Sequence, residues 1–369
     1  MPACRTMGSD AATGTSDAMI PFIWSEFCLN HDPAAEIWLG VRTPGTEVPD
    51  RIRVVRDELQ AAGHQEIPAQ SHSDDLLLRV HDPALVNFLT GAFQEWASGG
   101  YDVDPGQDRV VPYFFPSAEM MHGLPGGRMR ATHARTGEFC YDTMTLIGPG
   151  TWLAARSAID VALTAVDLVI AGAPAAFGAC RPPGHHVTRA SYGGSCYLNN
   201  AAVAAEALRS NGHAKVAVID IDAHHGNGTQ AIFYERSDVA FASVHVDPGA
   251  GWFPHAVGFA DELGRNAGYG MNLNLPQSPG AGDASWLAAV ERAVGFVANS
   301  GATALVLSLG VDAAIDDPES PLQITADGYE RAGEIIGQLK LPTVSVLEGG
   351  YHLPSIGILV SATLRGLGG

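Results

Sequence analysis

A chain of 369 residues, 46% hydrophobic and only 17% charged, is long enough for one large α/β domain or two ordinary ones. Its formal charge of −19, from 40 acidic against 21 basic residues, argues against wrapping nucleic acid, which needs clustered Lys and Arg. The same charge steers cationic small molecules or basic peptides toward a protein, although many acidic enzymes use it only for solubility.

Residues 1–18 are small and polar and read as a flexible extension, lacking the apolar run of a signal peptide. The 5 cysteines, an odd number without a CxxC pair, indicate reduced thiols in a cytoplasm. "DRIRVVRDELQAAG" (50–63) and "PALVNFLTGAFQEWASGG" (83–100) predict helices. Between Tyr101 and Glu138, Pro, Gly and Met crowd a stretch without a clear period. It is too long for an idle loop, so this insert near 101–138 is expected to shape the site or an oligomer contact.

From about residue 150 helices and strands alternate. "TWLAARSAIDVALTAVDLVIAG" (151–172) puts Ile159, Leu163, Val166 and Ile170 on one helical face and stops at Gly172. The apolar stretch from Val161 to Ala179 is Ala/Gly-rich and broken by Asp167 and Pro174, so no membrane span is expected. "NNAAVAAEALRSNG" (199–212), "SWLAAVERAVGFVANSG" (285–301) and "DGYERAGEIIGQLK" (327–340) follow as helices. "KVAVIDI" (215–221), "VAFASVHV" (239–246), "ATALVLSLG" (302–310) and "PTVSVLEGG" (342–350) read as buried strands. The alternation predicts an α/β fold, a single domain over 19–369 with an open, mostly parallel sheet and helices on both faces.

Ligands of such sheets bind beyond the carboxyl ends of the strands. There this chain places Asp222 and His224, Asp312, Tyr351, and the pair His185–His186 after a Pro-Pro-Gly turn. Two carboxylates and one imidazole with a fourth position open are a three-ligand set for catalytic Zn²⁺. The alternative for a single such residue is a helix-capping Asp222 or a satisfied core His224. His185 and His186 are candidate acid–base groups, and Tyr351, freed by Gly349 and Gly350, can hold an oxyanion. "GGSCY" around Ser195 lacks the closing Gly of a serine-hydrolase elbow, and no GxGxxG follows a strand.

"RPPGHH" (181–186), "CYLNN" (196–200), "DIDAHHGNGTQ" (220–230), "GVDAAIDDP" (310–318) and "EGGY" (348–351) together resemble the zinc-dependent deacetylases of the arginase/deacetylase fold. That group comprises histone deacetylases, histone-deacetylase-like amidohydrolases and acetylpolyamine amidohydrolases. The resemblance extends more weakly through "YDTMTLIGPGTW" (141–152) and "RVHDPALVNFL" (79–89).

It implies that Asp222, His224 and Asp312 hold the zinc and that Tyr351 polarises the acetyl carbonyl. His185 then has Asp220 as its orienting acid and is the more cationic member; His186, paired with Asn227, is the general base. A structural K⁺ is implied near Asp220, Asp222, His224, Ser243 and Val244. Asp142, Met144, Ser195, Phe253 and Gly349 are implied substrate contacts. Ser195 stands where an aromatic wall is usual, with Phe253 as the surviving wall. Met144 stands where polyamine-acting relatives often have an acid, which Glu119 or Glu138 would have to replace. The implied activity is removal of an acyl, chiefly acetyl, group from an acetylpolyamine, an acyl-lysine peptide or a bulkier metabolite amide, in a homodimer. A ureohydrolase with a second metal, and a non-catalytic binder of acyl amines or partners, are the alternatives.

Overall fold

The computed structural model describes residues 19–127 and 129–369; the expected extension at 1–18 lies outside them. Among the described residues ten strands occur in chain order: β1 (Phe22–Trp24), β2 (Glu36–Trp38), β3 (Val41–Thr43), β4 (Glu66–Pro68), β5 (Ala175–Gly178), β6 (Val216–Asp220), β7 (Val239–Val246), β8 (Asn272–Gln277), β9 (Ala304–Leu309) and β10 (Thr343–Leu347). The helices are α1 (Asp50–Ala61), α2 (Asp75–Val80), α3 (Pro83–Ser98), α4 (Ala118–Met121), α5 (Thr132–Phe139), α6 (Thr151–Ile170), α7 (Asn200–Ser210), α8 (Asn227–Phe233), α9 (Asp283–Ser300), α10 (Ala326–Gly337) and α11 (Leu353–Gly368).

Eight strands form one sheet in the order β4-β1-β5-β10-β9-β6-β7-β8, every pair parallel. β2 and β3 make a separate antiparallel hairpin. The central strands are apolar at nearly every position because both faces are covered. Val216, Val218, Val306, Val344 and Val346 pack on one side with α3, α6 and α7. Their sequence neighbours Ala217, Ile219, Leu305, Leu307 and Leu347 pack on the other with α1, α9, α10 and α11.

Helix α6 is buried around most of its circumference, so the single expected stripe is too narrow. Ile159, Leu163 and Val166 are core, whereas Ile170 at the last turn is 42% exposed. The insert holds two short helices, α4 and α5, between irregular segments. Among the described residues no helix is long and apolar enough to cross a membrane. Cys28, Cys140, Cys180 and Cys196 are free and buried.

Candidate active site

Because the main strands are parallel, their carboxyl ends share one rim, and the acids and imidazoles gather there. β6 ends at Asp220 and its following turn presents Asp222 and His224; β9 leads into Asp312 and β10 into Glu348–Tyr351. His224 Nδ1 lies 2.9 Å from Asp312 Oδ2 and 3.4 Å from Asp222 Oδ1. Ligand atoms of all three fall within 4.8 Å of one another.

Backbone donors aim both carboxylates. Gly349 N donates to Asp222 Oδ2 at 2.7 Å, His224 N to Asp222 Oδ1 at 2.8 Å and Ala223 N to Asp312 Oδ1 at 2.7 Å. Only glycine fits at position 349, since a Cβ there would stand 2.6 Å from an oxygen of Asp222 and of Asp312. Gly349, expected as a substrate contact, packs against the two carboxylates and is not among the residues lining the cavity.

The two acids are driven apart electrostatically. Burial and the neighbouring Asp222 charge push Asp312 up to about 7. For Asp222 burial acts upward too, but the His185 and His224 charges prevail and hold it below the usual carboxylate range. Among the described residues neither acid has a Lys or Arg partner, and two buried carboxylates with one imidazole are costly without further positive charge. Nitrogen and oxygen donors in a set of three are what zinc takes in sites with an open position, so these residues can hold such an ion.

His185 and His186 lie side by side with ring centroids 4.0 Å apart. His185 Nδ1 is 2.9 Å from Asp220 Oδ2, and His186 Nδ1 is 2.7 Å from Asn227 Oδ1. Burial would depress both rings. At His185 the charges of Asp222 and Asp220 overcome it and carry the imidazole up to about 10. At His186 burial is reinforced by the charges of His185 and His224, and the ring titrates well below the ordinary value. Glu348 fixes the backbone of this pair, accepting from Gly184 N at 2.6 Å and His185 N at 3.1 Å. Behind them the Cys196 thiol is pushed well up by burial, which keeps it protonated.

Tyr351 is set by its surroundings. Its N–H donates to Asp317 Oδ2 at 2.6 Å, and the Arg51 guanidinium lies 4.6 Å from its ring centroid. Arg51 also donates to the carbonyls of Gly350 (2.5 Å) and Glu348 (2.7 Å). Ser243 faces Asp220 in the β6–β7 register, with its Oγ 2.8 Å from His245 Nδ1, and Val244 follows it on β7.

A cavity of about 270 Å³ opens over these groups, lined by His186, His224 and Tyr351 together with Trp38, Trp252 and Phe253. Met144 and Ser195 are among the residues lining it, and Asp142 is not. The Asp142 carboxylate accepts from Met144 N, Thr145 N and Thr145 Oγ1 in its own loop and from Gly194 N of the facing turn. Glu119 and Glu138 are also absent from the lining, and Glu138 instead accepts from Gly127 N at 2.8 Å. The acids that do line the cavity are Glu36, on the β2–β3 hairpin, and Glu319, in the loop after Asp312. Nothing in the local sequence marks them, because only the fold brings that hairpin to the rim.

A strand-end centre of two carboxylates and an imidazole, backed by paired histidines and a tyrosine, defines a hydrolase of the α/β class with a metal-type site. Residues 45–367 match the family described as histone deacetylase domain. The chain is 39% identical over 348 residues to the acetylpolyamine amidohydrolase of Mycoplana ramosa, covering 94% of this chain and 99% of that protein. It is 40% identical to acetylpolyamine amidohydrolase 1 of Pseudomonas aeruginosa, covering 94% and 98%. The crystal structure of an acetylpolyamine aminohydrolase from Burkholderia pseudomallei superimposes with a TM-score of 0.89 at 37% identity, covering 95% of this chain and 98% of that one. The chain belongs to the histone deacetylase domain family. It is a deacetylase, a hydrolase that releases an acyl group from an amine, and its family is zinc-dependent.

Proposed function

We propose that the protein removes the acetyl group from an acetylated polyamine, with Zn²⁺ held by Asp222, His224 and Asp312. The observation carrying the substrate is the pair Glu36 and Glu319, which share one cavity with His186, His224 and Tyr351. An ammonium at the far end of an acetylated diamine meets two carboxylates and the ring of Trp38, the chemistry that selects a cation. The similar proteins named for acetylpolyamines support the same reading.

A zinc ion bound there would supply a lowered pKa for water and a polarised carbonyl. The chain's own groups do the rest. Asn227 accepts from His186 Nδ1–H, which leaves the Nε2 lone pair of a neutral imidazole to take the proton of the attacking water. His185, cationic beside Asp220, supplies positive charge to the growing oxyanion and makes the protonated His186 the readier acid toward the departing amine. Tyr351 donates its O–H to the carbonyl oxygen as negative charge grows on it. The amide C–N bond then breaks, and His186 returns its proton to nitrogen, giving acetate and a free amine. Asp220, Asp222, His224, Ser243 and Val244 would hold a structural K⁺, whose positive charge would offset the acids of this turn. The protein acts as a homodimer, a reading supported by Trp38, Leu39 and Phe115, which share a surface hollow while more than two-fifths exposed.

Purified protein is expected to contain one zinc per chain and to release acetate from N-acetylputrescine. Metal-free protein, or two divalent ions per chain, would overturn the reading. The acids give a pH signature of their own. Burial and the Glu319 charge raise Glu36 to about 7. Its ammonium-binding carboxylate form therefore grows as pH rises through that value. KM for N-acetylputrescine is expected to fall from pH 6 to pH 8, and E36Q is expected to flatten the change. E36Q and E319Q should each cost about tenfold in kcat/KM on that substrate, one charge-assisted hydrogen bond, and far less on neutral N-acetylbutylamine. Equal losses on both substrates would show that neither acid reads the cation.

A further inference from the structure

The two walls of the cavity differ in kind. On one side the Phe253 ring stands edge-on to His186, centroids 4.7 Å apart, and lies parallel to Tyr141 at 6.2 Å. On the other the Gly193–Ser195 turn offers no ring. Gly194 and Ser195 both have φ near +60°. A Cβ on Gly194 would fall 2.3 Å from His186 Cδ2 and 2.9 Å from Phe253 Cε1, so the turn presses against both. It is also rigidly held: Gly194 N donates to Asp142 Oδ2 at 2.6 Å and Ser195 N to Thr145 Oγ1 at 2.9 Å. Beside this fixed neck the wall consists of the Ser195 hydroxyl, which has no hydrogen-bond partner among the described residues, and the Met144 thioether.

A wall of hydroxyl and thioether is recessed and adaptable where a facing aromatic would be flat and full. A polymethylene chain offers less contact surface to these two residues than a flat ring, which can stack on the phenyl face of Phe253 and meet the Met144 sulfur. We propose that this site is shaped for acylated amines carrying a ring or branch next to the scissile amide, with Ser195 and Met144 as the residues that admit it. The proposal rests on the reading of the site as a deacetylase of cationic amines and adds the thickness of the chain between amide and ammonium.

A matched pair of substrates isolates thickness. Mono-N-acetyl-1,6-diaminohexane and mono-N-acetyl-p-xylylenediamine have the same distal ammonium and the same carbon count along the path between nitrogens, and only the second carries a ring. The holoenzyme is expected to show kcat/KM for the ring substrate at least equal to that for the linear one. S195F and M144F, which fill the recess from two positions, should each lower the ring-to-linear ratio by about tenfold or more, the scale of discrimination by apolar pocket shape. Phenylalanine at the positive φ of Ser195 strains the backbone, so M144F carries the test if S195F fails to give a folding transition. A wild-type ratio below one, or folded variants that change it less than tenfold, overturns the proposal. Hydrolysis of the linear substrate alone would leave the deacetylase reading standing. Hydrolysis of neither would remove both.

Discussion

Tyr351→Phe is expected to lower kcat on an acetylated diamine by roughly 10²–10³-fold with KM little changed. The hydroxyl meets the carbonyl oxygen most strongly once that oxygen carries charge, and a bond made chiefly in the transition state appears in kcat. Loss of one such donor costs about 2.7–4 kcal/mol of barrier. Burial pushes the phenol well above its ordinary value, outweighing the opposing Arg51 charge. The hydroxyl therefore stays protonated, able to donate, across the working pH range, and the deficit should be constant with pH. The substitution is unusually clean. Asp317 holds the backbone N–H of residue 351 and Arg51 lies against the ring, contacts that phenylalanine keeps. Unfolding by urea should shift little, so lost turnover reports the hydroxyl. Turnover within about threefold of wild type would remove Tyr351 from the oxyanion role.

The central sheet and the rim were legible because two strong signals coincide in the sequence. Continuous apolar runs such as "VAFASVHV" mark strands buried on both faces, and β7 occupies Val239–Val246 as read. The acids and imidazoles that interrupt polarity rules fall at the ends of those runs, so topology alone brings Asp222, His224 and Asp312 together. β1 and β4 were not legible, since three residues carry no period. β8, "NLNLPQ", was hidden by its two asparagines, both buried in a polar network with Gln230 and Glu262 at the edge of the sheet. The substrate wall was the hardest part to read. Asp142 resembles a substrate-gripping acid by position, and its carboxylate accepts four bonds from neighbouring N–H and O–H groups, one of them tying down Gly194. Glu36 and Glu319 reach the cavity from segments 283 positions apart, a closeness no local pattern encodes. Sequence therefore shows the reacting groups, which are fixed by strand ends, better than the specificity groups, which ride on loops.

The same hidden layer holds the residue whose loss should most damage stability. Glu47, Arg51 and Arg181 are each no more than 1% exposed, two guanidiniums sharing one carboxylate. Glu47 Oε1 accepts from Arg51 at 2.7 Å and from Arg181 Nε at 2.8 Å, and Oε2 accepts from Arg181 at 2.9 Å. His31, beside Glu47 at 3.4 Å, offers no charge, because burial and the Arg181 cation hold it well below its ordinary value. E47Q would thus leave two buried cations facing a neutral amide, and breaking a buried pair from one side costs about 3–5 kcal/mol. The expected result is an unfolding free energy lowered by that amount, read as a urea midpoint reduced by it divided by an unchanged slope. Activity should fall by more than the folded fraction explains, because Arg51 anchors the Glu348–Tyr351 segment and Arg181 opens the run to His185 and His186. E47D keeps the charge on a shorter arm and should recover part of both losses. If E47Q unfolds with the wild-type midpoint, the cluster does not hold the two catalytic loops together, and the placement of Tyr351 must rest on Asp317 alone.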